Sequence, residues 1–177
     1  MCAAAATKVG FAIAALASLI GCAAMDDSTF AERQELANTS VFLATPKSAG
    51  STLTTAFKRF CLDGQQDSGS RAARLREAGY VPDGGWRKGF RAFVTNDTRP
   101  AVWISREDRL CAVRARAQTG QAAAIRKSIA SWFPNARLLA SGGAREIWQV
   151  GPGEGIATHR APFGPHLNEI TLARIQL

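Results

Sequence analysis

Apolar positions recur along this chain first at helical spacing and then at alternate residues, and the change falls near residue 80. Leu53, Phe57, Phe60 and Cys61 share one face of a predicted helix, with Ser51 or Thr52 as its cap and Gly64 at its end. Ahead of it, Val41, Phe42 and Leu43 form a short apolar run that stops at Pro46. Residues 63–70 are polar and glycine-containing, which marks a loop. A second helix is predicted over residues 70–78, with Ala72, Leu75 and Ala78 on one side and Arg71, Arg74 and Arg76 largely elsewhere. Residues 81–85 carry turn chemistry, after which residues 90–95, 101–105 and 110–116 read as an antiparallel meander of β-branched and aromatic runs. In the third run Cys111, Val113 and Ala115 alternate with Ala112, Arg114 and Arg116, so one face suits burial and the other carries charge.

The periodicity then returns to helical. Ala122, Ile125, Ile129 and Trp132 form one stripe after a cap at Thr119, and Pro134 ends it. Residues 136–140 and 146–150, joined through Ser141, Gly142 and Gly143, predict a hairpin. Residues 151–165 read as a long Gly/Pro loop and 167–177 as a closing strand. The expected fold is α+β: a largely antiparallel sheet with two N-terminal helices and one crossing helix. No internal repeat is visible in the residues.

The first stretch follows a different logic. Lys8 supplies a positive charge and residues 9–20 an apolar run, too short for the roughly 20 residues of a spanning helix and suited to a secretory leader. Leu19, Ile20, Gly21 and Cys22 end that run, and together they resemble the lipobox of bacterial lipoproteins. The resemblance covers residues 1 to about 23 and leaves the globular part unassigned. It implies removal of residues 1–21 and lipidation of Cys22, with the membrane as a partner through the acyl chains; two or more chains anchor stably where one is marginal. Ala23 after the cysteine resembles the outer-membrane default of enterobacterial lipoproteins, so the expected site is the outer membrane, facing the periplasm. An ordinary secreted protein with a cysteine near its cleavage site is the alternative. Residues 22–39 are expected to form a lipidated terminus and flexible tether, with Thr29 and Glu32 spaced as a capping box, and residues 40–177 a single domain.

Export changes the meaning of the cysteines. Cys2 leaves with the leader and Cys22 takes lipid, leaving Cys61 and Cys111 in an oxidising compartment, where a disulfide is the expected state. Separate buried thiols are the alternative, and a redox pair is disfavoured because the spacing is not Cys-x-x-Cys.

The formal charge of +8 loses only Lys8 with the leader. Arginine far outnumbers lysine, which GC-rich coding also produces. Arg71, Arg74 and Arg76, with Arg87 and Arg91 at the entrance to the sheet and Arg114 and Arg116 on a strand, are the candidate anion-binding residues. Guanidinium forks match phosphate and carboxylate oxygens, and an exported protein has little access to nucleic acid, so anionic envelope polymer is the expected ligand, or else an envelope protein. A solvated basic face without a ligand is the plain alternative. His159 and His166 fall in or beside the Gly/Pro loop, but two histidines are too few for an organised metal site. No Gly-x-Ser-x-Gly elbow and no phosphate-loop context occurs, so no catalytic residue, metal or cofactor is assigned. The expected function is a binding or interaction module; the alternative is an envelope hydrolase using His159 and His166.

Overall fold

The computed structural model describes residues 26–40, 44–163 and 167–177. The lipobox with Cys22, the apolar run at Val41, Phe42 and Leu43, and His166 lie outside the described residues. The class is α+β, built on one eight-stranded antiparallel sheet. Its helices are α1 (Phe30–Asn38), α2 (Gly50–Phe57), α3 (Ser68–Glu77) and α4 (Gln121–Trp132). Its strands are β1 (Val81–Pro82), β2 (Phe90–Val94), β3 (Ala101–Ser105), β4 (Leu110–Arg116), β5 (Arg137–Gly142), β6 (Arg145–Gly151), β7 (Glu154–Phe163) and β8 (Leu167–Gln176).

The strand order is β1-β2-β3-β4-β8-β7-β6-β5, so the last strands of two meanders meet at the centre. Each meander of four strands follows a helix, α3 or α4, and the β4–β8 seam runs in register from Leu110 opposite Ile175 to Arg116 opposite Glu169. The arrangement is a repeat of topology, carried by element order and by no visible repeat of residues.

Alternation decides which face is covered. Phe93, Val102, Ile104, Cys111, Val113, Ala115, Ile156, Ile170 and Leu172 pack on one side against Leu53, Phe57 and Phe60 of α2 and its extension, Leu75 of α3, and Ile125 and Ile129 of α4. Trp132 closes this layer by stacking on Phe57, with ring centres 6.0 Å apart. The disulfide between Cys61 and Cys111 joins the helical layer to β4 through Cα atoms 5.4 Å apart.

α3 begins at Ser68, two residues before its expected start, and two other helix starts depart from expectation in their caps. α2 begins after Ala49 without a side-chain cap, and α4 begins after Gly120, at φ 87°, rather than at Thr119. In the second case glycine accepts the left-handed turn, and the Gln121 side chain receives the Gln118 N–H at 2.6 Å. α2 continues through a π-helical turn, Lys58–Leu62, which carries Phe60 and Cys61 inward. One further correction and one agreement concern the rest of the chain. Residues 154–163, read above as loop, form β7, because β6 and β8 pair with it on both sides and satisfy its backbone despite the glycines and prolines. At the front, Thr29 and Glu32 do form the capping box of α1.

Candidate functional site: a guanidinium-lined cavity at one end of the sheet

The arginines do not converge as a surface; the structure distributes them among separate tasks. Asp67 caps α3 by accepting the Ser70 N–H at 2.8 Å, and the helix then sends Arg74 and Arg71 back over residues 60–66. Arg74 donates to the Asp63 and Gln65 carbonyls at 2.5 and 3.1 Å and braces that loop. Arg76 pairs with Glu32 at 2.6 Å and Asp27 at 3.2 Å, so it faces the N-terminal segment. Arg91, buried on the helical side of β2, donates to the Gly84 carbonyl at 2.9 Å and to Asp26 at 3.1 Å, and also pairs with Asp27. Arg114 pairs with Glu169 on the opposite sheet face and lies over the Trp103 ring. Arg116 donates to the Thr45 carbonyl at 3.0 Å. Arg87 is exposed in the turn before β2.

Arg71 is different in kind. Its side chain, expected to point away from the apolar stripe, is 1% exposed because position 71 lies one helical turn before the buried Leu75. Its Nε donates to the Phe60 carbonyl at 2.9 Å and its Nη2 to Gln66 Oε1 at 2.6 Å. Its Nη1 has no hydrogen-bond partner among the described residues. The same Gln66 oxygen accepts from Arg174 Nη1 at 2.9 Å, while Arg174 Nη2 pairs with Glu154 at 2.7 Å. Gln66 is oriented by its own amide, which donates to the Leu62 and Gly64 carbonyls at 2.9 and 2.8 Å. Two guanidinium groups therefore meet on one neutral oxygen.

These residues line a cavity of ≈ 510 Å³ whose wall includes Gln66, Arg71, Asp108, Arg109, Glu154 and Arg174. Burial lowers the proton affinity of Arg71; Asp108 opposes that shift, and Arg74 and Arg174 add to it. An arginine nevertheless stays charged in a protein. A buried cation held by a backbone carbonyl and an amide, with no carboxylate bonded to it among the described residues, is short of counter-charge, and such a charge is costly. An anionic oxygen in the cavity is the natural complement to it.

Sequence reasoning found Arg71 and missed its partner. Arg174 follows Ile170 and Leu172 at alternate positions of β8, so a cation stands on the core-facing side of an apolar strand. That anomaly was legible. His159 sits on β7 opposite Thr171, and lines a smaller cavity of ≈ 210 Å³ with Arg126, Arg145, Glu146 and Arg160. There Glu146 is engaged by Arg126, and the four basic side chains are exposed.

Comparison of the chain with protein-family models, with characterised proteins and with solved structures finds no match.

Proposed function

We propose that this protein is a lipid-anchored envelope protein whose domain binds a compact anionic group, a carboxylate or a phosphate, in the cavity walled by Arg71 and Arg174. The observation that carries the reading is the buried Arg71 guanidinium, with one unbonded nitrogen, aligned with Arg174 on a single neutral oxygen. Guanidinium groups bind carboxylate and phosphate through paired N–H donors. In the bound state the anion takes over donors that Gln66 now shares. The broad basic surface expected from the sequence is replaced by a defined site, because Arg74, Arg76, Arg91, Arg114 and Arg116 bond within the protein. The leader and the lipobox support attachment at Cys22 and an outer-membrane location facing the periplasm.

Calorimetric titration of the detergent-solubilised protein with inorganic phosphate and with a dicarboxylate tests the reading. Saturable binding is expected for one of them, weakening by about tenfold or more in Arg174→Gln, since a hydrogen bond between charged groups contributes about 1.5–3 kcal/mol. Arg174 is partly exposed, so its replacement is expected to leave the core intact. Absence of binding by both anions, or equal binding by wild type and Arg174→Gln, removes the site.

A further inference from the structure

The cavity shares one end of the sheet with a second surface and with the point where the chain enters the domain. Three turns form this end: residues 84–89 before β2, residues 106–109 between β3 and β4, and residues 152–153 between β6 and β7. The first two are joined, since the Arg106 N–H donates to the Gly89 carbonyl at 2.8 Å and the Arg106 guanidinium lies 5.2 Å from the centre of the Trp86 ring. Lys88, Phe90, Arg109 and Leu110 line a groove of ≈ 240 Å³ there, and Arg109 also walls the larger cavity, so the two flank a common side chain. Phe90 is 38% exposed. Arg87 and Lys88 stand beside it, both exposed. Glu107 offsets part of this charge by pairing with Arg109 at 3.3 Å, both side chains being largely exposed.

The entering chain is fastened at the same end. Arg91, the second residue of β2, holds Asp26, Asp27 and the Ser28 hydroxyl, and its Nε holds Gly84 of the first turn. Phe30, directly after this fastening, is 71% exposed. Only three residues lie between Cys22 and Asp26. Even fully extended, the four steps reach no more than about 14 Å. A lipid on Cys22 therefore brings this end, and not the β5 edge, to the bilayer surface. Exposed aromatic rings beside cations on flexible stems suit that interface, where the ring enters the headgroup boundary and the cation meets phosphate.

From these observations we infer that the end of the sheet formed by Lys88, Phe90 and Arg109 faces the bilayer, and that the Arg71–Arg174 cavity opening beside it takes the phosphate of an anionic phospholipid headgroup. The inference rests on the lipid anchor and on the anion-binding reading of the cavity, and narrows the anion to a lipid source.

The experiment uses the lipidated full protein reconstituted into vesicles containing brominated phosphatidylcholine, with or without phosphatidylglycerol. Phe90→Trp and Leu139→Trp place reporters at the proposed contact and on the exposed far-edge strand, where Leu139 is 53% exposed. Their added fluorescence is read against wild type. Quenching of the Phe90→Trp reporter several times that of Leu139→Trp is expected, deepening when phosphatidylglycerol is present. Arg174→Gln combined with Arg109→Gln is expected to abolish the phosphatidylglycerol increment. Equal quenching at the two reporters, or more at Leu139→Trp, overturns the orientation. An increment that is absent, or survives the double substitution, overturns the headgroup assignment, even where inorganic phosphate binds the solubilised protein. Failure of the anchor itself is separately visible, as a Cys22 peptide that carries no acyl mass.

Discussion

Gly50 shows how much a single missing side chain can decide. It opens α2 where that helix crosses α4, and a Cβ placed there would lie 2.7 Å from the Ala124 Cβ and 3.3 Å from the Gln121 Cα. Neither neighbour is the end of a flexible side chain, so the helices must separate to admit a methyl group. Gly50→Ala is expected to destabilise the domain by about 1–3 kcal/mol, the usual range for overpacking, despite the better helix propensity of alanine. Ala124→Gly in the same chain should restore part of the loss. Urea denaturation of the two single variants and the double variant measures the coupling; additive effects would mean that the close approach carries no energy. Arg71 is the opposite case, a large charged side chain that the pattern placed outside the apolar stripe and that folding nevertheless buries.

Among the elements, α1 behaves least as its sequence suggests. Nine residues are too few for a stable isolated helix, yet this one is fastened at its start by Arg76 and Arg91 and packs Leu36 against the cluster of Val81, Val94 and Ala101. The Ser28 hydroxyl and N–H bonded to Asp26 hold its carboxyl below the ordinary range, and Arg91 does the same for Asp27. Burial pushes Glu32 upward, but the Thr29 N–H and Arg76 outweigh it and leave it lowered as well. Carboxyl groups whose folded values are depressed contribute stability above the unfolded value of about 4, and that contribution is lost as pH falls through the folded values. The melting temperature is therefore expected to drop more steeply below about pH 4 in wild type than in an Asp27→Asn, Glu32→Gln variant. Parallel curves for the two proteins would show that these ion pairs do not couple the N-terminal segment to the fold.

For the whole molecule, the disulfide is the covalent tie between the two layers. Cys61 and Cys111 are 50 residues apart and connect the helical layer to a strand at the sheet's centre. Closing a loop of that length restricts the unfolded chain by about 4 kcal/mol. Replacement of both cysteines by alanine should lower the unfolding free energy by roughly that amount, with the folded spectrum retained at low temperature. A loss below about 1 kcal/mol would show that the two layers hold together without the bridge. The seam between β4 and β8 places the halves side by side, and the cavity lies at the end of this seam, where Cys111, Arg174 and Ile175 share its wall.

Where local pattern and burial coincide, the sequence sufficed: the meander of β2 to β4, the stripe of Ile125 and Ile129, the hairpin of β5 and β6 and the capping box of Thr29 and Glu32 follow from period and turn residues, and the expected bridge between Cys61 and Cys111 is present. Other features depend on partners distant in the chain. β7 looked like a loop because glycine and proline weaken local propensity, and it became a strand because its two neighbours supply the missing hydrogen bonds. β8 ends the chain yet lies in the middle of the sheet. The arginines shared one charge and one local appearance, and their fates diverged through contacts that no window of the sequence contains: Asp27 for Arg91, Glu169 for Arg114, and a shared oxygen of Gln66 for Arg71 and Arg174. A charge is assigned its task by the counter-charge and the water left around it after folding, and tertiary packing alone sets both.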